Sequence, residues 1–173
     1  MTTAEDAADV GPDRFQRVQS PVGELLLMAG ATGLSGVYFE QHRYGPPAGS
    51  VMLPAGDGPA ARILAEAARQ LAEYFAGGRT RFDLPLAPRG TPFQVRVWRT
   101  LEGIRFGEAI SYAELARRIG SPRAVRAVGG ANARNPLSIV VPCHRVVGAD
   151  GSLTGFGGGM ERKQWLLRHE TRH

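Results

Sequence analysis

Ser111-Tyr112-Ala113-Glu114-Leu115-Ala116-Arg117-Arg118-Ile119-Gly120-Ser121-Pro122-Arg123-Ala124-Val125-Arg126-Ala127-Val128 reads as two short helices and the turn between them. Ser111 is an N-cap, and Glu114, three residues on, completes the pattern of a capping box. Leu115, Ala116 and Ile119 share the inward face of a helix over 112–119. Gly120-Ser121-Pro122 supplies a tight turn, and a second helix begins at Arg123. Two short helices so joined make a helix-turn-helix. The second continues through Gly129-Gly130-Ala131-Asn132, with Arg126 a long charged probe among small residues. A helix that reads DNA sequence aims polar side chains at base edges. Here Ala and Gly stand in those places, which suits sequence-independent binding through phosphates and shape. A packed helix pair with solvated arginines fits the same letters.

The charge pattern favours a polyanion. Residues 1–88 hold seven Arg against ten acids, a net of −3, whereas residues 89–173 hold thirteen Arg and Lys163 against six acids, a net of +8. A basic C-terminal half points to nucleic acid. Lys163 is the only lysine, which signals a compositional preference for Arg, but that preference does not place the acids in the other half. At 173 residues, 43% hydrophobic and 21% charged, the chain is globular rather than disordered. No run approaches the ~20 apolar residues of a membrane span. No signal-peptide pattern opens the chain, so a reducing cytoplasm is the expected setting.

Downstream of the helix pair stands the only cysteine, in Val140-Val141-Pro142-Cys143-His144-Arg145-Val146. A single thiol forms no internal disulfide and no zinc cage, which leaves an inert buried cysteine, a partner-facing thiol or a nucleophile. Pro142 stiffens the backbone before it. His144 and Arg145 add a base and a fixed charge, and nearby cations lower a thiol pKa. The flanks favour the nucleophile. In a regular strand His144 would point away from Cys143, so the chain must turn at Pro142 or the histidine must act through water. A base also needs an orienting acceptor; Glu170 is a candidate that pattern alone does not single out from a solvated helix-end carboxylate, and His169 beside it is a rival base.

Elsewhere, residues 14–19, 24–29 and 34–40 read as three strands of an antiparallel meander, joined at Ser20–Gly23 and Gly30–Gly33. Residues 43–59 read as one loop. An apolar stripe over 60–75 predicts a helix closed by Gly77-Gly78, and 82–86 is extended. The Pro-rich run at 85–90 is the expected boundary between domains of residues 1–88 and 89–173, with 1–13 a mobile lead. Thr91-Pro92 opens a helix whose inward face carries Phe93, Val97, Trp98 and Leu101. Residues 138–141 and 145–147 read as short extended pieces, and 160–169 as a final amphipathic helix.

Taken together, Val140–Val147, Phe106-Gly107-Glu108, Ser111-Tyr112, Arg126–Ala131, Asn135-Pro136 and Trp165–Glu170 resemble, in order and spacing, the O6-alkylguanine-DNA alkyltransferases, or methylated-DNA–protein-cysteine methyltransferases. The resemblance is close from Thr91 to Glu170 and looser before. It implies a ribonuclease-H-like α/β N-terminal domain with a small antiparallel sheet, then a mainly helical C-terminal domain with a winged helix-turn-helix. It also implies a mechanism. The minor groove would be met by Tyr112, Ala113, Ser121, Arg126, Ala127 and Gly129, with Arg126 replacing the flipped base and Tyr112 disturbing the adjacent phosphate. Flipping is required because a stacked guanine cannot present its O6 substituent to a buried sulfur. Cys143 would then attack the alkyl carbon, His144 would take the thiol proton through water, Glu170 would orient His144, and Asn135 would brace the cysteine loop. Tyr112, Val146, Phe156, Gly157 and Gly158 would line the guanine pocket. The thioether has no good leaving group, so the protein would act once.

The implied partner is double-stranded DNA containing O6-alkylguanine, met by a monomer; O4-alkylthymine and cooperative binding along the duplex stay open. Neither a cofactor nor a metal is implied: some relatives hold zinc through N-terminal cysteines, which this chain lacks, and His42 is the one histidine in that half. Phe156 replaces a tyrosine that in some relatives helps the departing guanine. Asn132 stands at a pocket-edge position that is apolar in some relatives. Two alternatives carry different residues. An alkyltransferase-like lesion binder lacks the cysteine, and a thiol-sensing helix-turn-helix regulator needs polar base-reading side chains.

Overall fold

The computed structural model of the protein describes residues 11–173. Alternating apolar residues build the first sheet. β1 (Asp13–Val18) pairs antiparallel with β2 (Leu25–Ala29), from Arg14 opposite Ala29 to Val18 opposite Leu25. β2 pairs antiparallel with β3 (Leu34–Phe39), with a register irregularity at Met28/Ala29. This is the expected meander. A fourth strand, β4 (Met52–Pro54), runs parallel to β1 and completes the order β3-β2-β1-β4. It lies inside the stretch read as a single loop. Three residues are too few to show a hydrophobic alternation, and an edge strand tolerates Pro54. Of the expected mobile lead, residues 1–10 lie outside the described residues. Asp13, its last residue, is instead buried in β1, where its carboxylate accepts from Arg89 (2.8 Å) and Ser35 (2.8 Å).

α1 (Pro59–Phe75) covers one face of the sheet with Leu64, Ala67, Leu71 and Tyr74 inward, packed among Leu25, Leu27, Leu34 and Val37. Buried Gln70 both donates to Asp83 O (2.9 Å) and accepts from Asp83 N (2.8 Å). The segment after it then meets the free edge of β3 in a single bridge, Leu86 to Leu34.

The C-terminal part is helical. α2 (Pro92–Leu101) starts in a complete capping box, with Thr91 Oγ1 accepting from Gln94 N and Gln94 Oε1 accepting from Thr91 N. β5 (Ile110–Ser111) leads into α3 (Tyr112–Arg118). Here the capping box is only half formed: Ser111 Oγ accepts from Glu114 N (3.1 Å), but the Glu114 carboxylate turns to Arg117 and Arg118. Two guanidinium partners outcompete one backbone N–H. α4 (Val125–Ala133) starts two residues later than expected, because Ala124 N bonds Ser121 O (2.9 Å) in a turn. Trp98 Nε1 donates to Ala131 O (2.8 Å) and fixes α4 against α2. β6 (Val146–Val147) pairs parallel with β5, and α5 (Met160–Arg172) extends past the expected end. The result is an N-terminal sheet domain followed by a helical C-terminal domain. No described helix is long and apolar enough to cross a membrane.

Candidate active site

Cys143, His144 and Arg145 form one turn of 3-10 helix rather than an extended segment. Two tight turns lead into it. Val140 N bonds Ser138 O (2.8 Å) around Ile139 at φ 72°, and Cys143 N bonds Val141 O (2.8 Å) around Pro142 at φ −83°, ψ 62°. These are γ-turns, the first of the rare positive-φ kind, and they replace the extended piece expected over 138–141. A buried β-branched residue in that region is strained and persists only where its surroundings hold it. Asn135 is one brace: its Nδ2 donates to Val141 O (2.8 Å) and its Oδ1 accepts from Leu137 N (3.0 Å). Pro136 O accepts from Val37 N (2.8 Å), tying the loop to β3.

Because the backbone turns at Pro142, His144 and Arg145 both point inward. His144 Nε2 lies 2.7 Å from Glu170 Oε1, and all three side chains are buried. Arg145 grips the same carboxylate through Nε to Oε2 (2.9 Å) and a terminal nitrogen to Oε1 (2.9 Å), and also donates to Ile104 O (2.6 Å). Tyr74 Oη donates to Glu170 Oε1 (2.8 Å). Burial alone would raise the Glu170 carboxyl, but His144 and Arg145 hold it well below the ordinary range. An ionised Glu170 only accepts, so Nε2 of His144 carries the proton. Burial also lowers the His144 pKa and keeps the ring neutral. Nδ1, with no partner among the described residues, is then the nitrogen with a free lone pair.

The thiol itself differs from expectation. Burial pushes the Cys143 pKa up, and an Asn135 hydrogen bond and the Lys163 charge only partly offset this. Arg145 does not activate the sulfur, since its charge is spent on Glu170. The resting pair is thiol and neutral imidazole. The cation that does act on Cys143 is Lys163, fully buried in α5, donating to Val146 O (2.6 Å) and Thr154 O (2.8 Å). Burial lowers its pKa to about 8. Sequence reasoning passed over it as composition, although 163, 166 and 170 fall at one-face helical spacing.

Tyr112 Oη donates to the same Thr154 O (2.7 Å), and its ring flanks Gly129. The β5–β6 pair sets Tyr112 beside the cysteine turn. Val146 is fully buried, one residue after that turn. Phe156 packs edge-on to Phe39 (5.7 Å between centroids). Gly157 and Gly158 run so close to His42 and Phe39 that a Cβ would collide. On α4, Arg126 and Ala127 are exposed; Ala113 is exposed and Ser121 half-buried beside it. Asn132 is buried, with Nδ2 on Cys143 O (3.3 Å) and Oδ1 without a partner among the described residues. His169 is not a base for Cys143: its Nε2 donates to Tyr74 O (2.7 Å) and its ring stacks on Trp165. Tyr74 was missed entirely, since nothing in the periodicity of α1 marks it apart from its neighbours.

Comparisons with known proteins converge. Residues 14–88 match the family model described as 6-O-methylguanine DNA methyltransferase, ribonuclease-like domain, and residues 92–172 match its DNA binding domain. The methylated-DNA–protein-cysteine methyltransferase of Mycolicibacterium paratuberculosis is 48% identical over 159 residues, 92% of this chain and 93% of that protein. The constitutive enzyme of that name from Bacillus subtilis is 58% identical over 108 residues, 62% of this chain and 66% of its own. The crystal structure of Mycobacterium tuberculosis OGT in complex with DNA superposes with a TM-score of 0.82 at 43% identity, covering 92% of this chain and 93% of that one.

Proposed function

Because this chain belongs to the 6-O-methylguanine DNA methyltransferase family, we propose that it repairs DNA by moving the alkyl group of O6-alkylguanine onto Cys143, once and irreversibly. The observation that carries this is the buried turn in which Cys143 adjoins a neutral His144 locked 2.7 Å from Glu170 with Nδ1 free. His144 Nδ1 takes the thiol proton through a water. The thiolate attacks the alkyl carbon, an S–C bond forms and the C–O6 bond breaks. Its electron pair leaves with guanine, which regains the proton from the imidazolium. Nothing in the site expels a thioether sulfur, so the cycle ends there.

The helix pair α3–α4 serves in this reading as a winged helix-turn-helix in the minor groove, and the N-terminal sheet domain as a ribonuclease-H-like one. Exposed Arg126 enters the stack in place of the flipped base, while Ala127 and Gly129 let the helix backbone come close. Tyr112 and the 154–158 loop wall the guanine. The protein works as a monomer in the cytoplasm. The test is the intact mass after incubation with a duplex containing O6-methylguanine. A single gain of ~14 Da that is lost in Cys143→Ala is expected of a thiol nucleophile. Duplex binding without any gain would refute transfer, and strong preference for one undamaged sequence would point to a regulator.

A further inference from the structure

Glu170 Oε1 is crowded: His144 Nε2 at 2.7 Å, Tyr74 Oη at 2.8 Å and an Arg145 terminal nitrogen at 2.9 Å all share it. Two of these donors come from the cysteine turn. Tyr74 comes from the last turn of α1, 96 residues from Glu170 and in the other domain. We propose that Tyr74 is a positioning residue of the transfer reaction: the N-terminal domain reaches into the relay through it and sets how tightly Glu170 holds the His144 imidazole. This rests on the reading of Cys143 as alkyl acceptor.

The geometry of Tyr74 is over-determined. The side chain is fully buried, its ring lies against Phe75, Phe82, Phe106 and His169, and its carbonyl accepts from His169 Nε2 (2.7 Å). Packing of that kind aims the hydroxyl at one oxygen. Burial and the Glu170 charge push its pKa far up, so it remains a donor wherever the protein is folded. Arg145 already orients the carboxylate by gripping both oxygens. What Tyr74 adds is a share in the charge of Oε1. A carboxylate oxygen engaged by a further donor pulls less on the Nε2–H of His144, and so favours the imidazolium less. His144 is otherwise surrounded by Glu170 from α5, Arg145 from its own turn and Lys163 from α5, with Cys143 adjacent. The two cations repel a proton from it and Glu170 alone attracts one. Restraining Glu170 therefore keeps His144 available as a base at neutral pH.

Tyr74→Phe keeps the ring and removes the hydroxyl. The test uses the full chain in single-turnover transfer from an O6-methylguanine duplex at saturating DNA across pH, together with ¹⁵N NMR titration of His144 in unreacted protein. The expected result is an acid limb displaced to higher pH. The transfer rate falls roughly 3–10-fold on the acid limb and less than about twofold on the plateau above it, part of what one hydrogen bond to a charged group contributes. Half-saturation by DNA stays as in the wild type, and the His144 titration moves upward too. An acid limb and imidazole titration that stay in place or move down would overturn the proposal, as would a loss equal at every pH, which is what a packing defect produces. Absence of methyl transfer in the wild type would refute the alkyltransferase reading instead, and the NMR titration would still decide the role of Tyr74.

Discussion

His144 Nε2 and Glu170 Oε1 lie 2.7 Å apart, one in the 3-10 turn that carries the cysteine and the other near the end of α5, 26 residues later. That single contact settles which imidazole nitrogen carries the proton and which keeps a free lone pair.

Glu170→Gln removes the charge and keeps the shape. Transfer should fall by about 10²-fold or more, since the tautomer is no longer dictated. Stability should also fall, by roughly 3–5 kcal/mol, because buried Arg145 loses its counter-charge. Single-turnover rates and denaturant unfolding measure the two effects separately.

Lys163→Met takes away the buried cation that favours the Cys143 thiolate and leaves Val146 O and Thr154 O without their donor. The thiolate absorbance of Cys143 should appear at higher pH than in the wild type, and transfer should slow roughly 10–100-fold. A thiol titration unchanged in this variant would remove Lys163 from the activation of Cys143.

Arg126→Ala should separate flipping from chemistry. Loss of the finger exposes the reaction to the unstacking cost of a few kcal/mol, so repair of duplex should slow ~10²-fold while transfer from free O6-benzylguanine changes less than about twofold. Equal losses on both substrates would exclude a finger role.

Acid should destabilise the fold early. His144 and His42 are both lowered by burial from 6.5, His42 to about 4. Between those values the unfolded chain binds protons that the folded chain refuses, so stability drops as pH falls below 6.5. Glu170, held below its ordinary 4.5, adds a further loss as pH falls from there. Thermal melts from pH ~8 to ~4 should show the decline, and His42→Gln should remove part of its upper segment.

Gly158→Ala would set a Cβ within 2.6 Å of Phe39 Cε2. The loop or the ring must move, at a cost of about 1–3 kcal/mol. Chemical denaturation gives the cost, and reduced transfer would show that the 154–158 wall had shifted.

Much of the fold could be read from local signals. The meander, α1, the cap at Thr91 and the helix pair each follow from periodicity or turn chemistry within a dozen residues. β4 could not be read this way, because its pairing with β1 is set by a contact some forty residues away and only three residues long. The half-open cap at Ser111 escaped for a related reason: whether Glu114 turns back to the N-cap or outward to Arg117 and Arg118 depends on competing partners, not on spacing.

The site divides in the same way. Residue identity and order alone marked Cys143 as the candidate nucleophile, singled out His144 and Arg145 as its neighbours, and placed Arg126 on a small-residue helix, because these depend on chemistry carried within short segments. The tertiary structure decided how they act. It spent Arg145 on Glu170, raised the thiol by burying it, set the Lys163 charge where Cys143 feels it and delivered Tyr74 from the other domain. Burial and long-range contact set proton affinities, and neither is written in any window of sequence. They exist only once α1, the cysteine turn and α5 share one core.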